Sequence, residues 1–399
     1  MRKVWRAVAA SFRRAGRAGA SYAEHKPDFW IILLTMVLVV IGLVMVYDSS
    51  YYIAQQSSAY DHDGAFFLKN QLQGLLAGLI AMFMTARIWK LPGKFKVDYH
   101  IWDALVPFLL LISLVLMLLV WVPGVGRSVN GAQRWIRFGP IDLQPSEPAK
   151  FAVIVYIAKI FSDREHQMDK FWRTVFPTTL VTGIFCVMLF VQPNISMLMT
   201  YIMILAIMLW AAGGRWAHLG ILFVLGCIAL YVAYLLKPHA FERLTIFLKP
   251  WSDPLGAGYQ VLQSLYAVAN GGFFGAGIGN SIQKYLYLPF RESDYIFAIF
   301  ADEFGFVGCI VLFALYWLLI WRCLVIAIQA PDRFGQMLAM GITTMLAVQV
   351  LLNVAIVLGW MPPTGLPLPF ISAGGTSLAL FLAEIGVMLN ISRVARIHK

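Results

Sequence analysis

The chain has 399 residues, of which 60% are hydrophobic and 13% charged, and its mean hydropathy is +0.75. Soluble domains contain about 45–50% apolar and about 25% charged residues, so this composition excludes an ordinary soluble protein. The net charge of +11 does not indicate nucleic-acid binding, since seven basic residues fall within the first 28 positions, before the first apolar segment. Basic residues beside apolar spans are typical of the cytoplasmic side of a membrane.

Apolar runs of about 20 residues recur along the chain, and each is long enough to cross roughly 30 Å of hydrocarbon as a helix. They predict an all-α integral membrane protein with ten transmembrane helices. The predicted spans are 29–47, 71–89, 103–122, 148–161, 174–192, 196–212, 217–236, 298–321, 336–358 and 374–391.

Basic residues are concentrated in alternate loops, which predicts the orientation of the chain. Both termini are expected in the cytoplasm, and the longest loop, about 237–297 between spans seven and eight, is expected outside. The predicted parts are a basic cytoplasmic tail (1–28), a ten-span membrane domain (29–391) and a cytoplasmic C-terminal tail (392–399). The N-terminal tail is either a basic amphipathic helix on the membrane surface or a disordered segment.

The four cysteines lie in or near apolar segments, and none has CxxC spacing. We therefore predict structural thiols packed among helices, with no disulfide or metal site formed by them. The seven histidines are scattered, and no pair has metal-ligand spacing.

Asp294 is the first candidate for chemistry. It ends the long loop, directly before span eight and beside Tyr295. A carboxylate at a membrane boundary loses hydration, which raises its pKa and suits it to accept a proton. The alternative is an interfacial carboxylate that caps the next helix, since Asp is favoured at helix starts.

Asp302 and Glu303 follow within or at the start of the same span. Charged residues inside a span are costly, so they are usually paired or functional. The alternative is that both cap the span at the level of the lipid headgroups. Upstream, the sequence GGFFGAGIGN (271–280) predicts tight turns and a close approach of the backbone to other groups.

The segment QRWIRFGPIDLQPSEPAK (133–150) forms a second cluster. Ser146 is predicted to cap a helix, and Glu147 and Lys150 are then spaced i, i+3 and can form an ion pair. An outward-facing helix N-terminus suits pyrophosphate, to which Arg134 can add positive charge. The alternative is a helix start with an ordinary structural ion pair.

The segment GWMPPTGLPLPFISAGGTS (359–377) has four prolines and four glycines but no charge. Such a composition excludes a regular helix. Non-helical backbone at membrane depth is tolerated only where protein or a cavity shields it. The segment is therefore either a re-entrant element that lines a groove or a rigid outer loop.

Together these segments resemble the SEDS family (shape, elongation, division and sporulation), which includes FtsW, RodA and SpoVE. The resemblance extends from about Lys26 to Ile391 and is carried by four motifs in the expected order. The motifs are NGAQRWIRFGPIDLQPSEPAK, QPNIS, the stretch from ERLTIFLKPWSDPLGAGYQ to SDYIFAIFADEFG, and PPTGLPLPFISAGGTS. The sequences GIGNSIQKYLYLPF and PLPFISAGGTS resemble the division and sporulation type more than the elongation type.

The resemblance implies a peptidoglycan glycosyltransferase that polymerises lipid II at the outer face of the bacterial cytoplasmic membrane. It also implies a class B penicillin-binding protein transpeptidase as partner, within a division, sporulation or elongation complex. Asp294 matches the essential outer-loop aspartate, and Glu147 and Lys150 match a functional acid–base pair of the fourth span. Further motif residues implied to bind substrate or support the site are Arg243, Gln260, Gln263, Ser264, Thr364, Pro367, Pro369, Ser372, Gly374 and Gly375.

In this hypothesis Asp294 deprotonates or orients the acceptor hydroxyl, and undecaprenyl pyrophosphate leaves the donor. Lys150 and Arg134 are candidates to stabilise the leaving group, and a divalent cation, Mg or Mn, is a further candidate whose ligands the sequence does not identify. The sequence departs from the family at Asn194, where Asp is usual, and at Asp302, where Glu is usual. A negative charge at 194 is therefore not required here.

A flippase or transporter of a lipid-linked peptidoglycan precursor is the alternative function. Such a protein needs a polar path across the whole membrane, whereas the charges here gather in the predicted outer half. A scaffold that recruits a transpeptidase through its helices is a third hypothesis, and it is compatible with enzymatic activity.

Overall fold

The structure is a computed structural model that describes residues 25–87, 89–91, 95–129, 132–138, 141–236, 247–256, 258–363 and 365–395. In this part of the chain it has eleven α-helices and five short strands. The helices are α1 (Phe29–Gln56), α2 (Phe66–Ala86), α3 (Ile101–Leu119), α4 (Ser146–Asp163), α5 (Phe176–Val191), α6 (Ile195–Ala211), α7 (Trp216–Leu236), α8 (Tyr259–Gly271), α9 (Ile296–Gln329), α10 (Arg333–Val357) and α11 (Gly375–Ser392). The strands are β1 (Trp89–Leu91), β2 (Phe95–Val97), β3 (Gly126–Val129), β4 (Ala132–Phe138) and β5 (Ile141–Leu143).

The strands form two small antiparallel sheets, β1–β2 and β3–β4–β5. Seven of the described helices are long and apolar enough to cross a membrane, namely α1, α2, α3, α9, α10, α11 and α5 with the π-helical turn that precedes it. The helix α6 and the first part of α7 are apolar but shorter. The protein is thus a mostly helical, multi-pass membrane protein, as the sequence predicts.

Each of the ten predicted spans overlaps one of the helices α1–α7 and α9–α11. The eleventh helix, α8, lies within the predicted outer loop and was not expected from the sequence. Large apolar side chains on the outer faces of α1, α2, α3, α5, α7 and α9 are exposed, which is how lipid-facing surfaces are composed. Of the seven long helices, α10 has the largest share of buried residues, and it packs against α4, α6 and α9.

Small residues bring α2 and α11 close together, and these two helices share the most extensive helix–helix contact. A Cβ added to Gly74 would lie 2.3 Å from the Cα of Gly375, and one added to Gly386 would lie 2.0 Å from the Oγ1 of Thr85. The Thr85 hydroxyl also donates to the Ala383 carbonyl at 2.9 Å. Small-residue contacts with side-chain hydrogen bonds are the usual way for membrane helices to associate.

The helix α9 is interrupted at Gly305, whose backbone has φ 64° and ψ −165°. The break leaves helix carbonyls without their intrahelical donors, and other groups replace them. The N–H of Ala276 donates to the Asp302 carbonyl at 2.9 Å, and the N–H of Gly277 donates to the Glu303 carbonyl at 3.0 Å.

The backbone N–H groups after the break also find hydrogen-bond partners outside the helix. The N–H groups of Phe306 and Val307 donate to the carbonyls of Gly272 and Phe273 at 3.0 and 3.2 Å. The glycine-rich segment 271–277 therefore lies against the break and pairs with backbone groups on both sides of it. The close backbone approach that the sequence predicts for this segment is confirmed.

Candidate active site

Asp294 lies two residues before α9, at the end of the segment that leads into this helix. Its half-buried side chain faces a cavity of about 2670 Å³. Groups from α2, the β3–β5 sheet, α5–α8 and the segment 361–377 also line this cavity. Large concave sites with a few convergent polar groups are the usual places for ligands.

The backbone around Asp294 is held by the segment after α10. The N–H of Ala373 donates to the Glu292 carbonyl at 2.9 Å, and the Ser372 hydroxyl donates to the Ser293 carbonyl at 2.6 Å. The same hydroxyl accepts a hydrogen bond from the N–H of Leu368 at 2.7 Å. Ser372 is buried and therefore supports the site through its backbone contacts.

Two amide side chains on α10 complete this support. Asn353 donates from Nδ2 to the Asp294 carbonyl at 2.8 Å and to the Leu366 carbonyl at 2.7 Å. One turn earlier, Gln349 donates from Nε2 to the Pro367 carbonyl at 3.2 Å. The carbonyls of three consecutive residues, 292 to 294, are thus each fixed by a separate donor.

The predicted groove-lining alternative for 359–377 is confirmed by burial and by contact. Leu366, Leu368 and Ile371 are almost fully buried, while Pro367 and Gly374 line the cavity. Thr364 lies outside the described residues.

Burial raises the pKa of Asp294 to about 7, and the nearby negative charge of Glu292 acts in the same direction. The Arg134 guanidinium lowers the pKa of Asp294 and is the weaker influence. A carboxyl group with a pKa near neutrality is suited to accept a proton at physiological pH. An added Cβ on Gly365 would lie 2.9 Å from Oδ2 of Asp294, so this glycine leaves room for the carboxylate.

Glu147 and Lys150 form the predicted ion pair, with 2.8 Å between Lys150 Nζ and Glu147 Oε2. The spacing prediction is confirmed, and both side chains are buried. Lys150 also donates to Oε1 of Gln349 at 2.8 Å, and its ammonium lies 5.4 Å from the centre of the Phe381 ring. Through Gln349 the pair is connected to the segment that holds Asp294.

The two members of the pair differ in their access to the cavity. Glu147 lines the cavity, whereas Lys150 lies behind it among α4, α10 and α11. The expectation that Lys150 stabilises a leaving group therefore does not match its position. The expected cap is also wrong, because α4 begins at Ser146 itself, and the Ser146 Oγ has no hydrogen-bond partner among the described residues.

Arg134 on β4 reaches the cavity and is anchored to the α5–α6 turn. Its Nε donates to the Gln192 carbonyl at 3.0 Å, and a terminal nitrogen donates to the Pro193 carbonyl. Arg127 and Arg137, on β3 and β4, also line the cavity, and Arg127 pairs with Asp142 of β5 at 2.7 Å, so the sheet contributes three guanidinium groups and one carboxylate to this wall. The sequence predicts that Arg134 adds positive charge for a pyrophosphate, and its place on the cavity wall is compatible with that prediction.

The turn before α6 contains Asn194, the position at which the SEDS family usually has aspartate. Asn194 is buried and caps α6, with its Oδ1 accepting from the N–H of Met197 at 3.4 Å. Asparagine serves as a helix cap about as well as aspartate. The neutral Asn194 side chain can therefore cap α6 as an aspartate would.

The remaining predicted site residues lie at different distances from the cavity. Ser264 is buried and donates to the Val357 carbonyl at 2.6 Å, which holds α8 against the end of α10. Gln263 is half-buried on α8 and does not line the cavity, whereas Gln260 on the same helix does. Arg243 lies outside the described residues.

Asp302 and Glu303 are paired and buried, which favours the first of their two predicted alternatives. Lys284 donates to Glu303 Oε1 at 3.0 Å and to Asp48 Oδ1 of α1 at 2.8 Å. The Ser281 hydroxyl donates to Asp302 Oδ2 at 2.5 Å. This network joins α1, the loop before α9 and α9 itself. The sequence did not identify Lys284, because its partners are distant along the chain.

Among the described residues, no group of three or more His, Cys, Asp or Glu side chains is arranged to hold a metal ion. Two carboxylates nevertheless face the cavity near each other along the chain, those of Asp294 and Glu292. Mg²⁺ commonly takes one or two carboxylate ligands and completes its shell with water and substrate phosphates.

Comparison with known proteins gives concordant matches. The family FTSW_RODA_SPOVE, described as cell cycle protein, matches residues 29–397. The chain is 39% identical to stage V sporulation protein E of Bacillus subtilis (strain 168), over 94% of this chain and 99% of that protein. It is 38% identical to the "probable peptidoglycan glycosyltransferase FtsW" of Geobacter sp. (strain M18), over 92% of this chain and 96% of that protein.

Two solved structures have a similar fold. One comes from a study of the structural coordination of polymerization and crosslinking by a peptidoglycan synthase complex. Its TM-score with this chain is 0.74 and its sequence identity is 31%, over 92% of this chain and 98% of that chain. The other is the rod shape determining protein RodA of Thermus thermophilus, with a TM-score of 0.67 and 26% identity, over 93% and 98% of the two chains.

Proposed function

Because this chain belongs to the family of FtsW, RodA and SpoVE, we propose that it polymerises lipid II into glycan strands at the outer face of the cytoplasmic membrane. It is a peptidoglycan glycosyltransferase, as its relatives are named. The observation that carries the proposal is the position of Asp294. Its carboxyl group has a pKa of about 7 and faces a large cavity, and the main-chain carbonyls of residues 292–294 are each held by a donor.

In the proposed reaction two lipid-linked saccharides meet in the cavity. The Asp294 carboxylate accepts the proton from the 4-hydroxyl of the acceptor N-acetylglucosamine, whose oxygen forms a bond to C1 of the donor N-acetylmuramic acid. The bond between C1 and the pyrophosphate oxygen breaks, and undecaprenyl pyrophosphate leaves with the electron pair. The fixed backbone at 292–294 keeps the base in place, which is how positioning lowers a barrier.

The leaving group requires positive charge, and the β3–β5 sheet supplies it. Arg134, Arg127 and Arg137 line the same cavity as Asp294, and the carboxylate of Asp142, 2.7 Å from Arg127, offsets one of the three charges. Guanidinium groups pair with phosphate oxygens in a planar, two-pronged geometry. These arginines replace Lys150 as the proposed pyrophosphate contacts.

A divalent cation, Mg or Mn, remains part of the proposal. The described residues form no group of three or more acidic, His or Cys side chains that would hold it, so its ligands would be water and phosphate oxygens of the substrate. When bound, such an ion would neutralise charge on the leaving pyrophosphate.

We further propose ten crossings with both termini in the cytoplasm and Asp294 on the outer side. Contacts between helix ends support this arrangement. Asp28 before α1 pairs with Arg322 in the last part of α9 at 2.7 Å, and Arg333 at the start of α10 donates to the Ala212 carbonyl after α6 at 2.9 Å. These ends are the ones that an alternating ten-span chain places on its basic, cytoplasmic side.

We also propose that the protein works beside a class B penicillin-binding protein transpeptidase, in a division, sporulation or elongation complex. Support comes from the similar solved structure, which belongs to a complex that couples polymerization to crosslinking. The comparisons name polymerases and favour this function over the flippase alternative.

The test is polymerisation of purified lipid II by the purified protein and by its Asp294→Asn variant, both checked for folding by thermal melting. We expect glycan strands from the native protein, with its transpeptidase partner added if needed, and none from the folded variant. A variant that polymerises as fast as the native protein would show that Asp294 is structural. A native protein that forms no strands even with the partner would refute the polymerase function.

A further inference from the structure

An aromatic cluster forms one wall of the cavity near Asp294. It consists of Tyr60, in the turn after α1, and of Phe66 and Phe67 at the start of α2. The Tyr60 ring centre lies 4.9 Å from that of Phe66 and 5.0 Å from that of Phe67. All three side chains line the cavity and are half-buried, so their outer surfaces remain available to a ligand.

Glu292 faces the same part of the cavity. Its Oε2 is shielded from solvent and has no hydrogen-bond donor among the described residues. The main chain at Glu292 is fixed by the Ala373 N–H, so the carboxylate cannot simply swing with a mobile loop. A buried acceptor without a donor is costly, which indicates that a ligand group supplies the donor.

Glu292 and the aromatic cluster are close enough to influence each other electrostatically. Burial raises the pKa of the Tyr60 hydroxyl, and the negative charge of Glu292 raises it further, while Arg127 and Arg291 lower it. Arg291 acts on Glu292 directly, Glu292 acts on Tyr60 and Asp294, and Arg127, which acts on Tyr60, pairs with Asp142 at 2.7 Å. The Arg291 guanidinium is anchored to the carbonyls of Ser49 and Leu288 at 3.2 and 3.1 Å.

A lipid-linked saccharide has three parts that could bind beside the aromatic cluster and Glu292: the isoprenoid tail, the phosphate groups and the sugar rings. An isoprenoid tail would use the aromatic rings but would leave the Glu292 oxygen without a donor. An ionised phosphate group has no hydrogen to donate to this oxygen either. A pyranose ring has an apolar C–H face that can pack on an aromatic ring and hydroxyl groups at its edge that can donate to a carboxylate.

We propose that Tyr60, Phe66, Phe67 and Glu292 form a saccharide subsite beside Asp294. A sugar ring packs against the aromatic cluster, and one of its hydroxyl groups donates to Oε2 of Glu292. The inference rests on the proposed polymerase function and adds to it where the acceptor sugar is held. A ring bound there would present a neighbouring hydroxyl toward Asp294, two residues further along the same fixed segment.

The test measures binding of purified lipid II and its polymerisation by the full chain, at a pH well above 7 so that Asp294 remains ionised. The variants are Glu292→Ala, which removes the acceptor, and Phe66→Leu, which keeps apolar volume but removes the flat ring. We expect each to raise the Kd for lipid II and the KM about tenfold with little change in kcat. Phe274→Leu is the matched control, because Phe274 is 80% exposed and does not line the cavity.

Undecaprenyl pyrophosphate, which lacks the sugars, is the second probe. We expect both variants to bind it as tightly as the native protein does. If they bind it about tenfold more weakly as well, the surface recognises lipid or phosphate and the saccharide subsite is refuted. Unchanged lipid II binding in both variants refutes it too.

The outcomes also separate this inference from the polymerase function. If the native protein polymerises lipid II and the two variants match it in Kd and KM, the subsite fails and the function stands. If the native protein binds lipid II but forms no strands, and the variants bind it more weakly, the function fails and the subsite stands.

Discussion

Removing one member of the buried ion pair between Glu147 and Lys150 should destabilise the protein more than removing both. The side chains are 5% and 1% exposed, and their charged atoms are 2.8 Å apart. The substitution Lys150→Met leaves the Glu147 carboxylate buried without its cation, which costs about 3–5 kcal/mol. At roughly 2 °C per kcal/mol for a chain of this length, the Tm should fall by about 6–10 °C.

The double variant Glu147→Gln, Lys150→Met should recover most of this loss. It replaces the pair by uncharged side chains of similar size, and removing both charges also removes their desolvation cost. The matched control is Lys159→Met on the same helix, because Lys159 pairs with Asp103 where both side chains are about a third exposed, at 31% and 36%. Such a pair contributes about 0–1 kcal/mol, so this variant should melt close to the native protein.

The measurement is thermal melting of the native protein and the three variants in one detergent. The reasoning is refuted if Lys150→Met melts with Lys159→Met, or if the double variant melts no higher than Lys150→Met. Lipid II polymerisation by the double variant is then informative. Recovered stability without recovered activity would assign the pair a role in catalysis, since Glu147 lines the cavity.

Three further predictions concern Asp294 and its surroundings. Because burial raises the pKa of Asp294 to about 7, the polymerisation rate should rise with pH through about 7 and then level off, and a flat profile between about pH 6 and 8 would contradict its role as a base. Since that pKa is raised from 3.8 on folding, the folded state loses stability as the pH rises from 3.8 toward 7. Asp294→Asn should therefore melt higher than the native protein at about pH 8 and equally near pH 4, and equal melting at both would contradict the shift. Gly365→Ala places a Cβ 2.9 Å from Asp294 Oδ2 and should lower kcat about 10- to 100-fold through displacement of the carboxylate. An unchanged kcat in Gly365→Ala would argue against a specific contact.

Local features of the structure could be predicted from the sequence because their causes are local. The spacing of Glu147 and Lys150 is enough to predict their ion pair once a helix is assumed. The apolar run from Phe29 predicts α1, although the helix continues to Gln56 past the predicted end at 47. Apolarity locates the part of a helix that crosses lipid, whereas the hydrogen bonds that end a helix are set by its caps.

Contacts between distant parts of the chain could not be predicted in this way. Lys284 binds Asp48, which lies 236 residues away, and no spacing rule connects them. The helix α8 was missed because the apolar pattern of a short loop helix does not stand out beside membrane spans. The position of Lys150 behind Glu147 was likewise invisible, since it depends on Gln349 of α10.

The non-helical backbone before α9 explains why a proline-rich segment without charge belongs to the site. In a helix, the carbonyls of Glu292 and Asp294 would be satisfied internally, and side chains two residues apart would not face each other. Outside a helix both carboxylates can face one cavity, but the carbonyls of 292–294 then need donors from elsewhere. Ala373, Ser372 and Asn353 supply them.

In the proposed reaction the segment 359–374 therefore acts through its backbone geometry rather than through a reactive group. Its prolines and glycines prevent it from becoming a helix, and its buried leucines fix it inside the protein. Only a segment that is both irregular and immobile can hold a second irregular segment at a constant position. The proposed role of Asp294 as a base requires this, because a carboxylate that moved further into water would regain its ordinary pKa and lose its suitability as a base near pH 7.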